Sequence, residues 1–316
     1  MRRDRILTTS LALVLLVGAC TGGVRRQTHD RPSPTTSASE AAGTRSGGRS
    51  ISLSGRIAFS AGAQGAMDVY VVNADGTGLR RLTTNPGDDF DPSWSPDGSR
   101  IAFRSERSGD PEIWVMNADG TKQRRLTAGL SPAWSPDGSR IAYASPGDLL
   151  CPPGRGLRCS GLSLMHADGS GQHRLPHTEG GEYPSWSPDG TRIAFNSTLT
   201  GDHVMSIVNA DGSKLVDLSG VGEGWQVDWA PDGRFILFAS ARGRADPGYT
   251  DVYVMRPDGS GVHRLTHHLG YTPAWSPDGE RIVFSAPGLS VMNPDGTGVT
   301  PLPTDAGETS LPDWTE

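Results

Sequence analysis

Short apolar triplets punctuate the chain from residue 57 onward: Ile57-Ala58-Phe59, Ile101-Ala102-Phe103, Ile141-Ala142-Tyr143, Ile193-Ala194-Phe195, Ile236-Leu237-Phe238 and Ile282-Val283-Phe284. A second apolar run follows each triplet, such as Val69-Tyr70-Val71-Val72 or Ile113-Trp114-Val115-Met116. These runs are short, β-branched or aromatic, and apolar at successive positions, which predicts strands buried on both faces. After each second run comes an Asp-Gly pair, at Asp75, Asp119, Asp168, Asp211, Asp258 and Asp295. Asp-Gly between apolar runs predicts a hairpin of type I′, whose two central residues need φ > 0.

A third feature repeats in step. Pro-x-Trp-Ser-Pro-Asp-Gly places Trp94, Trp134, Trp186 and Trp275, Val-Asp-Trp-Ala-Pro-Asp-Gly places Trp229, and Pro312-Asp313-Trp314 is a truncated copy. One unit then reads as four antiparallel strands: the Trp strand, the Ile-Ala-Phe strand, the Val-Tyr-Val strand and an Arg-Leu-Thr strand such as Arg81-Leu82-Thr83. Residues 51–316 divide into six units of about 44 residues, the length of a propeller blade. The first unit lacks its Trp strand and the last segment supplies only one. Both termini therefore complete a single blade, which leaves no long open edge. The expected fold is an all-β, six-bladed β-propeller.

These repeats resemble those of the TolB-like propeller family, and are similar to WD-type repeats without the Trp-Asp dipeptide. The resemblance covers nearly all of residues 51–316. The family's namesake carries an N-terminal α/β domain that is missing here, is soluble and periplasmic, and binds a peptidoglycan-associated lipoprotein. No motif of this chain matches its partner-binding residues, so the resemblance implies the fold and not the partner.

Gly and Pro number 42 and 24, in keeping with many tight turns. The net charge of -6 is uneven: residues 1–50 hold eight Arg and three acids, leaving -11 for residues 51–316. That sign opposes phosphate neutralisation and argues against nucleic-acid binding. Arg2, Arg3 and Arg5 precede an apolar stretch from Leu11 to Val17, too short to span a bilayer. Leu16-Val17-Gly18-Ala19-Cys20 resembles the lipobox of bacterial lipoprotein signal peptides. The resemblance implies cleavage before Cys20 and a diacylglycerol on its thiol, so residues 1–19 are read as a signal peptide. Residues 20–50 are then the lipidated Cys and a tether too poor in apolar residues to fold. The propeller is expected outside the cytoplasm, held to the cell membrane by the lipid on Cys20. In that oxidising setting Cys151 and Cys159, in a Pro/Gly-rich insertion of the third unit, are expected to form a disulfide.

Catalytic chemistry is not legible. Gly-x-Ser-x-Gly, His-Glu-x-x-His and a phosphate loop are all missing from the sequence. No cofactor and no metal site is expected. The turn Asp residues are explained by the turns themselves, and Asp88, Asp89 and Asp91 read as a solvated acidic face ahead of a metal cluster. Comparing the six copies separates scaffold from address. Trp, Pro-Asp-Gly, Arg-Ile and the second Asp-Gly are fixed; the two residues four and three before each Trp vary. Among these variable positions and their neighbours, Phe90, Asp91, Glu182, Tyr183, Trp225 and Tyr271 are the expected partner-binding set, with the aromatics around the channel mouth. The rival expectation is that the same rings plug the channel as core. The function expected is non-catalytic binding of a protein, peptide or envelope component by a single chain. The alternative is a glycan lyase or hydrolase at the channel mouth; Arg104, Arg107, Glu182 and His267 could be drawn into a catalytic set there, but their spacing gives it no support.

Overall fold

The computed structural model describes residues 53–316 apart from 64, 147–159, 198–202, 245–248 and 305. Cys20, Cys151 and Cys159, and with them the signal peptide, tether and disulfide, lie outside the described residues.

Six four-stranded antiparallel sheets form the blades of a propeller. The innermost strands of blades two to six are Asp89–Trp94, Leu130–Trp134, Gly181–Trp186, Trp225–Trp229 and Tyr271–Trp275. Blade one takes its innermost strand from the C-terminus: Thr309–Thr315 pairs with Arg56–Ala61, placing Trp314 opposite Ile57. The expected closure by both termini is therefore what the register shows.

The triplets owe their pattern to the gaps between blades. Strand side chains alternate between the two faces of a sheet, so Ile and Phe of one triplet point to one neighbour and the middle residue to the other. Ile101 and Phe103 pack with Ala58, Val69 and Val71 of blade one, whereas Ala102 faces Trp134 and Ile141 of blade three. Each of six hydrophobic clusters spans one blade junction in this way. In four blades the middle residue is Ala, which makes room for the Trp of the next blade, and in blades five and six Leu237 and Val283 pack against that Trp instead. Arg residues at the start of the triplet strand add a second tie. Arg56, Arg100, Arg140 and Arg192 lie 4.5–4.8 Å over Trp94, Trp134, Trp186 and Trp229 of the following blade, a cation–π geometry worth about 0.5–2 kcal/mol each. Blade five breaks the Arg-Ile pattern, with Phe235 before Ile236.

The turns differ from the type I′ expectation. In Ser95-Pro96-Asp97-Gly98, Gly98 N–H donates to Ser95 O at 2.8 Å, and only Gly98 has positive φ, at 63°. Asp97 serves through its carboxylate instead: Oδ1 accepts from Ser95 Oγ (2.6 Å), Ser99 N (3.0 Å) and Ser99 Oγ (2.8 Å). Those hydrogen bonds, Ser95's first, hold its pKa down to about 2. The second turns work alike, with Asp75 Oδ1 accepting from Thr77 N and Oγ1. Lys122 and Lys214 stand exposed just beyond these turns at φ 55° and 51°, where other copies have Gly.

A second expectation is also corrected: Asp88, Asp89 and Asp91 are not a solvated face. Asp89 is fully buried beside Arg107 and Asn85, and Asp91 is buried in the channel. Asp88 accepts from Met67 N (2.8 Å) and Gly65 N (3.1 Å), tying a loop of blade one.

Candidate functional site: the central channel and its mouth

The channel is shaped by a defect repeated six times. Phe90 pairs with Arg104, yet Ser93 pairs with Ala102, so the innermost strand carries one residue more than its neighbour. The same shift occurs in the other five blades. At each β-bulge the residue three before the Trp is left-handed: Asp91 (φ 52°), Ser131 (48°), Tyr183 (50°), Gln226 (53°), Thr272 (47°) and Leu311 (53°). None is Gly, although this conformation costs an ordinary side chain about 1 kcal/mol or more.

The bulge decides which side chains reach the axis. Residues three and one before the Trp line a central cavity of about 260 Å³. They also reach forward to the next blade. Asp91 Oδ2 accepts from Ser131 N and Oγ, both at 3.2 Å, and Thr272 Oγ1 accepts from Leu311 N at 3.1 Å. One layer deeper, Ser93 Oγ accepts from Trp134 N (3.3 Å) and Ser185 Oγ from Trp229 N (3.1 Å). Asp228 Oδ2 accepts from Trp275 N (2.8 Å) and Asp313 Oδ2 from Trp94 N (2.6 Å).

Of the six residues expected at the site, Asp91 and Tyr183 line the cavity. Phe90, Glu182, Trp225 and Tyr271 stand one residue before the bulge and are not among its lining, so of the four expected aromatics Tyr183 alone lines the cavity. Phe90 lies beneath the Arg104 guanidinium at 5.1 Å, Trp225 packs against His203 at 5.0 Å, and Tyr271 is half-buried opposite Ser285. Glu182 accepts from Ser160 Oγ at 3.4 Å. Gln226, Thr272, Leu311, Asp228 and Asp313 line the cavity without having been singled out. The signal for the first three lay in the variable pair before each Trp, where the second member, not the first, turns inward.

One charged cluster forms at the mouth. Arg104 is ion-paired with Glu106 and feels Asp91, and Glu182 feels both Asp91 and Arg104. Burial pushes the pKa of Asp91, Glu182 and Tyr183 upward. The rest of the candidate catalytic set does not join it. Arg107 stacks on Trp114 at 4.0 Å beside Asp89, and His267 is exposed in a loop of blade five. Among the described residues no group of three His, Cys, Asp or Glu is arranged to hold a metal.

The repeat that builds this channel matches the TolB beta propeller domain over residues 52–226 and again over 128–290. The chain belongs to the TolB β-propeller family. Its fold is similar to that of TolB from Acinetobacter baumannii, at 21% identity and a TM-score of 0.71, covering 83% of this chain and 67% of that one. A TolB candidate from Agrobacterium tumefaciens aligns at 22% identity and TM-score 0.63, over 79% of this chain and 89% of that one. Oligogalacturonate lyase from Vibrio parahaemolyticus shares the fold at 14% identity and TM-score 0.53, over 74% and 70%. No curated protein matches the sequence. Identities this low speak for the fold alone.

Proposed function

We propose that this TolB-family propeller is a non-catalytic recognition module of the cell envelope, anchored through a lipid on Cys20. Its channel mouth takes a segment of a protein, a peptide or another envelope component. One observation carries this reading. Six left-handed positions share one backbone, yet hold Asp, Ser, Tyr, Gln, Thr and Leu. A purely structural bulge favours Gly there. Six unlike side chains kept at strained positions around one axis supply address information, and strained positions cluster at binding sites. The Asp-Gly turns at the opposite end repeat because their hydrogen bonds demand it, and they carry little of that information.

The binding surface on this reading is Asp91 and Tyr183 in the channel with Phe90, Glu182, Trp225 and Tyr271 on the surrounding rim. Truncating a central aromatic anchor typically costs about 2 kcal/mol, roughly thirtyfold in affinity. A partner recovered by pull-down from detergent-solubilised envelopes is expected to lose that much with Tyr183→Ala or Trp225→Ala. Lys122→Ala, on the turn end, is expected to bind like the parent. Equal affinity of all three variants, folded by circular dichroism, places recognition elsewhere.

A further inference from the structure

Four blade junctions are closed around the channel by the residue just before the Trp. At two the acceptor is a hydroxyl, Ser93 or Ser185. At the other two it is a carboxylate: Asp228 holds Trp275 N–H of blade six, and Asp313 holds Trp94 N–H of blade two. A hydroxyl accepts such a bond without bringing a charge. The carboxylates bring one into a cavity whose lining contains no Lys, Arg or His.

We propose that Asp228 and Asp313 form a proton-operated clasp on the ring, tight when protonated and weakened when both are charged. The groups around them leave the charge uncompensated. Asp228 faces Ser185 Oγ at 3.1 Å, the N–H groups of Trp229 and Trp275, and the carboxylate of Asp313. Asp313 faces the N–H groups of Trp94 and Trp314. Asp91 and Tyr183 are the remaining titratable groups lining the same cavity, and neither is a cation. The cation at the mouth, Arg104, is engaged by Glu106 and Asp91. A protonated carboxyl keeps a carbonyl oxygen for the Trp N–H, so the bond survives protonation while the charge does not.

Burial, with Asp313's charge adding to it, raises Asp228 to about 7, and burial raises Asp313 to about 6, from an ordinary 3.8. The folded ring therefore binds protons more tightly than the unfolded chain. Its extra stability is fully present below about pH 4 and is lost as pH rises through 6 and 7. This is opposite to the turn residues such as Asp97, whose lowered pKa removes stability only as pH falls toward 2. A domain outside the cytoplasm meets the pH of its surroundings directly, so ring rigidity would follow the medium.

Thermal melts of the full chain between pH 4.5 and 8.5 test the clasp. The parent is expected to lose on the order of 5 °C or more in melting temperature between pH 5 and 8. Asp228→Asn and Asp313→Asn each keep an acceptor oxygen and are expected to flatten that slope, the double variant removing most of it. Calorimetric unfolding of the parent at pH 6 in buffers of different ionisation enthalpy adds a readout that needs no variant: unfolding is expected to release protons. A melting temperature level or rising from pH 5 to 8, proton uptake on unfolding, or an unchanged slope in the folded double variant overturns the proposal.

Discussion

Deleting residues 309–316 is expected to abolish cooperative folding or to lower the melting temperature far more than any single substitution. The segment is the innermost strand of blade one, paired along Arg56–Ala61. It carries Trp314, buried in the cluster between blades six and one, whose Nε1–H donates to Ser54 O at 3.1 Å. It also carries Asp313, the acceptor for Trp94 N–H across the next junction. Losing a buried Trp costs about 3–5 kcal/mol. Leaving a buried N–H unpaired costs about 1–3 more. Typical domains have only about 5–15 kcal/mol in hand, and the deletion also opens a strand edge and exposes the apolar faces of two blades. A truncated protein melting at the parent temperature would show that the ring does not depend on this strand.

Cys20→Ser is expected to move the protein from the membrane fraction to the soluble fraction. Each buried CH₂ of an acyl chain contributes about 0.8 kcal/mol, and stable anchoring takes more than one chain. Among the described residues no helix is long and apolar enough to cross a membrane. The proposed location depends on the lipid. Mass spectrometry of the parent should find a lipid-modified Cys20 at the mature N-terminus and no residues 1–19. Sedimentation of the Ser variant with membranes, or an unmodified parent, counts against the anchor.

Fold and closure were legible in the sequence because each rests on a pattern repeated six times. Ile-Ala-Phe and the Trp segment specify burial, and burial at fixed spacing specifies blades. The local geometry was less legible. Asp97 and its counterparts looked like left-handed turn residues, but they are kept for their carboxylates, and the left-handed position is the Gly alone. Asp89 and Asp91 looked solvated because charge is normally outside. Arg107 and the Ser131 hydroxyl and N–H, distant in sequence, make their burial possible. The bulge had no compositional mark at all, since Asp, Ser, Tyr, Gln, Thr and Leu occupy it. A shift of one residue swaps every side chain to the other face. That single step is why Gln226 and Thr272 line the channel while Trp225 and Tyr271 are not in its lining.

The most direct test of recognition at this channel is photo-crosslinking in intact envelopes. A photoreactive side chain is placed at Gln226, which lines the channel, and separately at Lys122, exposed beyond a turn at the opposite end. A discrete adduct from position 226, competed by unlabelled parent protein and missing from position 122, is the predicted result. Adducts from position 122 alone would place the binding surface on the turn end and contradict the account.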